Sequence, residues 1–181
     1  RQLKCRDTSG ASYFAPAPPL EGVKAILSCA ATTFGSRTPN LEPHSEDRWC
    51  LGLFDISRAY FNAEKDVDDF TYVDLPKEDP EHAVMCALLL RHMYGTRAAA
   101  DGWQEEYSTS LIDMGFVQGT SCTTLFHHPG KLLKCTVHGD DFTVLGPRSS
   151  MAWFEEQLGS KYEYTCGGRL GPGPADDKEG M

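Results

Sequence analysis

The chain has no apolar run longer than AVMCALLL at 83–90. That is far short of the ~20 residues a membrane-spanning helix needs. No basic start followed by an apolar stretch marks a signal peptide. The seven cysteines are odd in number and form no C-x-x-C pair, which argues against a disulfide framework. Reduced thiols in an intracellular compartment are expected instead. Internal repeats and long low-complexity linkers are also lacking. The sequence starts at Arg1 rather than Met and stops in GPGPADDKEGM, and is expected to be a piece of a longer reading frame.

Positive charge is scarce as well. The formal net charge is −9, which at first argues against a nucleic-acid partner. The distribution weakens that inference. Residues 62–82 carry eight acids against Lys65 and Lys77, and residues 174–181 carry three against Lys178. The remainder is nearly neutral, so net charge does not decide the partner. What is present is ordinary for a soluble globular domain, with 40% hydrophobic and 24% charged residues. A length of 181 residues suffices for one domain with a sizeable core.

Residues 1–19 read as irregular and end in APAPP. From Leu20 to Phe34, the residues Val23, Ile26, Leu27, Ala30, Ala31 and Phe34 share a helical face. WCLGLF (49–54) suits a strand buried on both faces, with SRAYFNAEKD as a short helix after Asp55. FTYVDL (70–75) is β-prone and ends at Pro76. Residues 83–94 fit strand or helix equally. Trp103, Tyr107, Leu111 and Met114 mark one face of a helix over 98–114, stopped by Gly115. CTTLFHH, KLLKCTV and FTVLG give three strands, SSMAWFEEQLG a helix ending at Gly159, and KYEYTC a last strand. This order predicts an α+β fold, an antiparallel sheet with helices packed on one face.

The chemistry is concentrated in carboxylates. Asp55 ends an apolar strand; taken alone, capping the next helix is its plainer explanation. Asp140 and Asp141 sit in HGDDF (138–142), at the tip of what reads as a tight hairpin. A solvated turn is the plain reading. A divalent cation that offsets their repulsion is the sharper one. Adjacent strand residues face opposite ways, so one of the two acids should dominate a site, while Gly139 supplies the turn's unusual backbone angles. If the two strands are neighbours, three carboxylates meet at one sheet end. That arrangement suits Mg²⁺, and two ions ~4 Å apart can hold attacking and leaving oxygens for phosphoryl transfer.

FDISRAYFNA followed by VHGDDFTVLG resembles motifs A and C of a reverse-transcriptase palm. MYGTRAAADGWQEEY resembles the Leu-Tyr-Gly-Leu-Lys-Gln-Ala-Pro-Arg-Ala-Trp block of the copia-type family. YFAPAPPLEGVKAILSCAA and MGFVQGTSCTTLFHH resemble its upstream helix and its strand before motif C. The match runs in order from about residue 12 to residue 166. It implies an RNA-directed DNA polymerase of a retrotransposon polyprotein, with a palm-like fold over 20–166. Residues 1–19 would then be a remnant of the fingers, and 167–181 a truncated flexible tail.

The resemblance implies that Asp55, Asp140 and Asp141 are the catalytic, metal-binding aspartates, with the backbone carbonyl of Ile56 as a further ligand for Mg²⁺ or Mn²⁺. Arg58, Ala59 and Tyr60 match the stretch along the incoming deoxynucleotide triphosphate (dNTP), with Tyr60 as the aromatic gate against a ribose 2′-hydroxyl. Gly95 and Arg97 fall in the block that contacts nucleotide and template. Implied partners are an RNA or DNA primer–template, dNTPs, and the rest of the polyprotein (thumb, connection, ribonuclease H), without a membrane. The implied location is a cytoplasmic particle or the nucleus.

The chain departs from the family where Tyr-X-Asp-Asp reads His138-Gly139-Asp140-Asp141, and where Gln-Ala-Pro-Arg-Ala reads Ala98-Ala99-Ala100-Asp101-Gly102. These departures bear on template contact and fidelity rather than on the metal triad. On its own the stretch is expected to be inactive or nearly so. The alternatives are a folded relic and a non-catalytic nucleic-acid-binding α+β module. Cys122, His127, His128, Cys135 and His138 invite a zinc reading, but their odd spacings fit no common finger. Trp103 and Tyr107 read as core rather than base-stacking residues. Arg91 reads as a solvated side chain.

Overall fold

A computed structural model describes residues 20–35, 48–66, 68, 70–96 and 98–171. The expectations for 1–19, for most of the tail and for Arg97 lie outside these residues. The central element follows from WCLGLFDI, which is apolar at both parities. It forms β1 (Trp49–Ile56), buried along most of its length. A strand apolar on both sides needs neighbours at both edges and cover on both faces.

β1 receives all of these. It pairs antiparallel with β7 (Asp141–Pro147) and β8 (Tyr164–Leu170). Beyond β7 follow β6 (Leu133–His138), β5 (Leu125–His128) and β4 (Val117–Gln118), giving a six-stranded sheet in the order β4-β5-β6-β7-β1-β8. Cys50, Phe54, Ile56, Phe142, Val144, Cys135 and Val137 make one apolar face. Against it lie Trp103, Tyr107 and Leu111 of α3 (Ala99–Asp113) and Met151, Phe154 and Leu158 of α4 (Arg148–Lys161). Each fully buried side chain of this size contributes ~1.5–3 kcal/mol.

The α+β class and the antiparallel sheet are as expected; the placing of all helices on one face is not. α1 (Leu20–Gly35) covers the opposite face, where Ile26 and Ala30 meet Leu51 and Leu145. The physical reason is the second apolar parity of β1 and β7, which would otherwise face water. The buried stripe of α1 is Gly22, Ile26 and Ala30, and Leu27, expected on that stripe, points outward at 46% exposure.

Smaller differences have local causes. α4 runs through Gly159 to Lys161, because a helical glycine costs only ~1 kcal/mol and Leu158 anchors that turn. The short helix after Asp55 is reduced to α2 (Ala59–Asn62). The ambiguous stretch 83–94 contains β3 (Cys86–Leu88), fixed as a strand by pairing with β2 (Tyr72–Asp74) in a separate two-stranded sheet. β8 continues past Cys166 to Leu170, so the expected domain end falls inside a strand. The register shift opposite Leu53 and Phe54, with Gly168 at φ 136°, lets the chain bulge and stay paired. Gly115, at φ 94°, stops α3 as expected. Among the described residues no two cysteines form a disulfide. Among the described residues no helix is long and apolar enough to cross a membrane.

Candidate active site

The site grows from the β6–β7 hairpin. His138 and Asp141 form its closing pair, across a turn of Gly139 and Asp140. Gly139 has φ 64° while Asp140 is not among the positive-φ residues, the pattern of a type II′ turn, which needs glycine first. Trp103, 1% exposed, donates its indole N–H to the Gly139 carbonyl at 2.8 Å. One buried side chain of α3 thus ties the turn to the core.

The register of β1 against β7 brings the acids together. Asp55 lies directly opposite Asp141, and the Ile56 N–H donates to the Asp140 carbonyl at 3.0 Å. That bond makes Ile56–Asp140 a hydrogen-bonded position. Asp55–Asp141 is therefore the adjacent non-bonded one, where opposed Cα atoms stand ~4.5 Å apart and side chains come closest. Both carboxylates project on the face that carries Leu51 and Leu145, and both are exposed; Asp140, in the turn, is half-buried. An extended residue sends N–H and C=O to the same edge, so the Ile56 carbonyl also points toward the hairpin. The Ile56 side chain is buried in the core.

The crowding has an electrostatic signature. Partial burial raises the Asp141 carboxyl above its ordinary range, and the charges of Asp140 and Asp55 raise it further, against a smaller opposing effect of His138. Because the folded value is raised, ionising Asp141 costs the folded state free energy. The stability is whole below the ordinary carboxylate range and is lost as pH rises through the raised value. Asp141→Asn is therefore expected to stabilise the fold near neutral pH, by about 0.2–1 kcal/mol, the size of a directly opposed like-charge pair. The gain should vanish in acid, where the wild-type group is itself neutral. Urea unfolding at pH 7 and at pH 3 checks this, and a destabilised variant at pH 7 contradicts it.

Tyr94 belongs to the same field. Burial raises its phenol, and so does the charge of Asp140, with smaller contributions from Tyr60 and Asp55, while hydrogen bonding to the Ala59 backbone opposes them. Its ring meets Tyr60 edge-on at 4.3 Å. Tyr94 is not among the site residues the sequence points to; its place beside Gly95 in the MYGTR block is the one available signal.

Ser57 and Arg58 leave the end of β1. The Ser57 N–H donates to the Glu163 carbonyl at 2.9 Å, and the Arg58 guanidinium bonds the Glu163 carboxylate at 2.7 Å. Both side chains are exposed, so the pair stabilises little. Arg58 has φ 53° and ψ 43°, a left-handed conformation that a non-glycine residue adopts at a cost of ~1–2 kcal/mol. Such strain clusters at functional sites. Ser57, Arg58, Phe61, Asn62 and Glu163 line an open cleft of about 390 Å³.

The structure thus brings together Asp55, the Ile56 backbone, Asp140 and Asp141, with Tyr60 joined through Tyr94. Ala59 is fully buried, so its side chain offers no contact to a ligand. Gly95 is exposed at φ 87° with open space around it. Arg91 is ion-paired with Glu64 at 3.0 Å. The candidate zinc ligands are dispersed: His127 pairs with Lys134 and Cys135 with Phe126, on opposite sheet faces, and Cys135 is wholly buried.

Among the described residues no group of three or more His, Cys, Asp or Glu side chains could hold a metal ion. The backbone, rather than a finished set of ligands, makes the convergence. What the site offers is donor type alone: two opposed, exposed carboxylates, a third in the adjoining turn, and a strand-end carbonyl are the kinds of oxygen group a hard cation takes. No family model, curated protein or solved structure matches the chain.

Proposed function

We propose that the chain is the palm region of a copia-type reverse transcriptase, an RNA-directed DNA polymerase that adds dNTPs to a primer 3′ end. The observation that carries this reading is the direct opposition of Asp55 and Asp141, with Asp140 in the next turn. Asp55, Asp140, Asp141 and the Ile56 carbonyl would hold Mg²⁺ or Mn²⁺. Bound there, the ions supply charge stabilisation at the transferring phosphoryl group. The chain's own residues do the positioning. The sheet ladder fixes the acids, and Trp103 fixes the turn that carries two of them. Tyr60, braced edge-on by Tyr94, walls the place of the sugar. Arg58, exposed at this cleft and ion-paired with Glu163, would present its cation to a triphosphate. Primer–template grip comes mainly from neutralising phosphates, and this chain, with a net charge of −9, would need the rest of the polyprotein for it.

The direct test is templated addition of one dNTP to a preannealed primer on RNA, at low salt and under single-turnover conditions, alongside metal-dependent dNTP binding. Slow, non-processive addition and weak, salt-sensitive nucleic-acid binding are expected. Absence of both addition and metal-dependent dNTP binding overturns the reading and leaves the relic or the non-catalytic module. Tyr60→Ala is expected to relax sugar choice, narrowing the preference for dNTP over ribonucleotide by about 10- to 100-fold, as for loss of one steric contact. Unchanged selectivity in the same assay removes Tyr60 from the site.

A further inference from the structure

The small second sheet presents an apolar face of its own. β2 and β3 pair Tyr72 with Leu88, Val73 with Ala87 and Asp74 with Cys86. The Leu89 N–H donates to the Thr71 carbonyl at 2.9 Å, so the register runs on and sets Phe70 opposite Leu90. Opposed residues share a face, and the faces alternate along a strand. Thr71, Val73, Ala87 and Leu89 therefore lie on one side, half-buried. Phe70, Tyr72, Leu88 and Leu90 lie on the other, between 40% and 77% exposed. Together they offer on the order of a few hundred Å² of apolar surface, the size at which an exposed patch marks an interaction site. A two-stranded ribbon is also marginal in water until a further strand or layer packs on it.

Charge decides what that layer is. Asp74 lies on the exposed face itself, Asp66 and Asp68 lead into β2, and Glu78 and Glu81 follow it in the connection to β3; all five are exposed. The nearby cations are already engaged, Arg91 with Glu64 and Lys65 with the Thr71 hydroxyl. Such a rim repels nucleic acid and anionic lipid headgroups and attracts a cationic partner. The apolar centre in turn selects a partner that brings apolar side chains between its cations.

We propose that the outer face of the β2–β3 ribbon docks a basic amphipathic protein segment. Its apolar side chains cover Phe70, Tyr72, Leu88 and Leu90, and its Lys or Arg side chains meet the acidic rim. The surface uses none of the residues assigned to nucleotide addition, so it stands whether or not the chain is a polymerase.

Cys86, exposed on this face opposite Asp74, serves as reporter, and Cys166, exposed on β8, as its internal reference. The probe is a synthetic amphipathic peptide of Leu and Lys, titrated into the full 181-residue chain. Alkylation of each cysteine by iodoacetamide is followed by mass spectrometry. Bound peptide should slow alkylation at Cys86 and leave Cys166 unchanged. The double variant Tyr72→Ser, Leu88→Ser should weaken the peptide about tenfold or more, as for loss of central apolar anchors. Ile112→Ser, at an exposed apolar residue of α3, should not weaken it. The triple variant Asp74→Asn, Glu78→Gln, Glu81→Gln should weaken it and flatten its salt dependence. Circular dichroism checks folding, and if the double variant does not fold, Cys86 protection in the wild type decides. A Ser–Lys peptide, charged but without an apolar face, and a Leu–Glu peptide should both leave Cys86 open. Equal slowing at Cys86 and Cys166, or protection by the Ser–Lys peptide, means charge attraction alone and overturns the proposal. So does protection of Cys86 by neutral phosphatidylcholine vesicles, by single-stranded DNA or by a higher concentration of the chain itself, with none by the Leu–Lys peptide.

Discussion

Asp55→Asn is expected to fold like the wild type and to add nucleotide about 1,000-fold more slowly or worse. Asp55 is exposed at a strand end, so the amide removes a charge without opening a cavity. It also relieves the repulsion with Asp141, so the melting temperature should hold or rise slightly. The rate loss follows from the proposed function. A metal centre contributes several kcal/mol of transition-state charge stabilisation, and each 1.36 kcal/mol is tenfold in rate. Single-turnover addition and thermal melts on the same preparation separate the two effects. A rate within tenfold of wild type would show that Asp55 does not hold the ion.

Trp103→Ala should bring the largest loss of stability, about 3–5 kcal/mol, as expected for removing a large aromatic from a packed core. The side chain is 1% exposed and meets Tyr107, Phe142 and Tyr162 edge-on, with ring centroids 5.6, 6.5 and 5.5 Å away. Set against a typical total of ~5–15 kcal/mol, this leaves a marginal domain. Trp103→Phe isolates the second role. It keeps an aromatic ring in the core but leaves the Gly139 carbonyl without its indole donor, at a cost of about 1–3 kcal/mol. The hairpin carrying Asp140 and Asp141 then loses its tether to α3. Nucleotide addition should fall further than unfolding in urea accounts for. If activity and stability fall strictly in step, Trp103 is core and nothing more.

Periodicity carried the parts of the fold that a single stretch specifies. Trp103, Tyr107 and Leu111 recur every four residues and announce α3, and the wholly apolar run at 49–54 announces a central strand. What it missed depends on partners distant in sequence. The stripe that α1 buries is not legible locally, because its apolar residues wrap around more than one face and only the sheet beneath selects Gly22, Ile26 and Ala30. β4 has two residues and no pattern of its own; it exists because β5 offers it an edge. The acids were legible as motif residues, and the alternation of strand side chains already implied that Asp140 and Asp141 diverge. That Asp55 faces Asp141 in register is a property of pairing, which no local signal encodes. Tyr94 and Glu163 enter the site through loops, where spacing carries no information.

The opposition of Asp55 and Asp141 also bears on how the chain finds its fold. A strand that slips by one residue turns every side chain to the other face. If β1 slipped by one against β7, Asp55 would enter the layer of Phe54, Phe142 and Trp103, and a carboxylate there, without a partner, is strongly disfavoured. The acids therefore proofread strand alignment during assembly. Asp55→Leu, which removes that penalty, should refold with a larger misaligned, aggregation-prone fraction even where its native state is the more stable one.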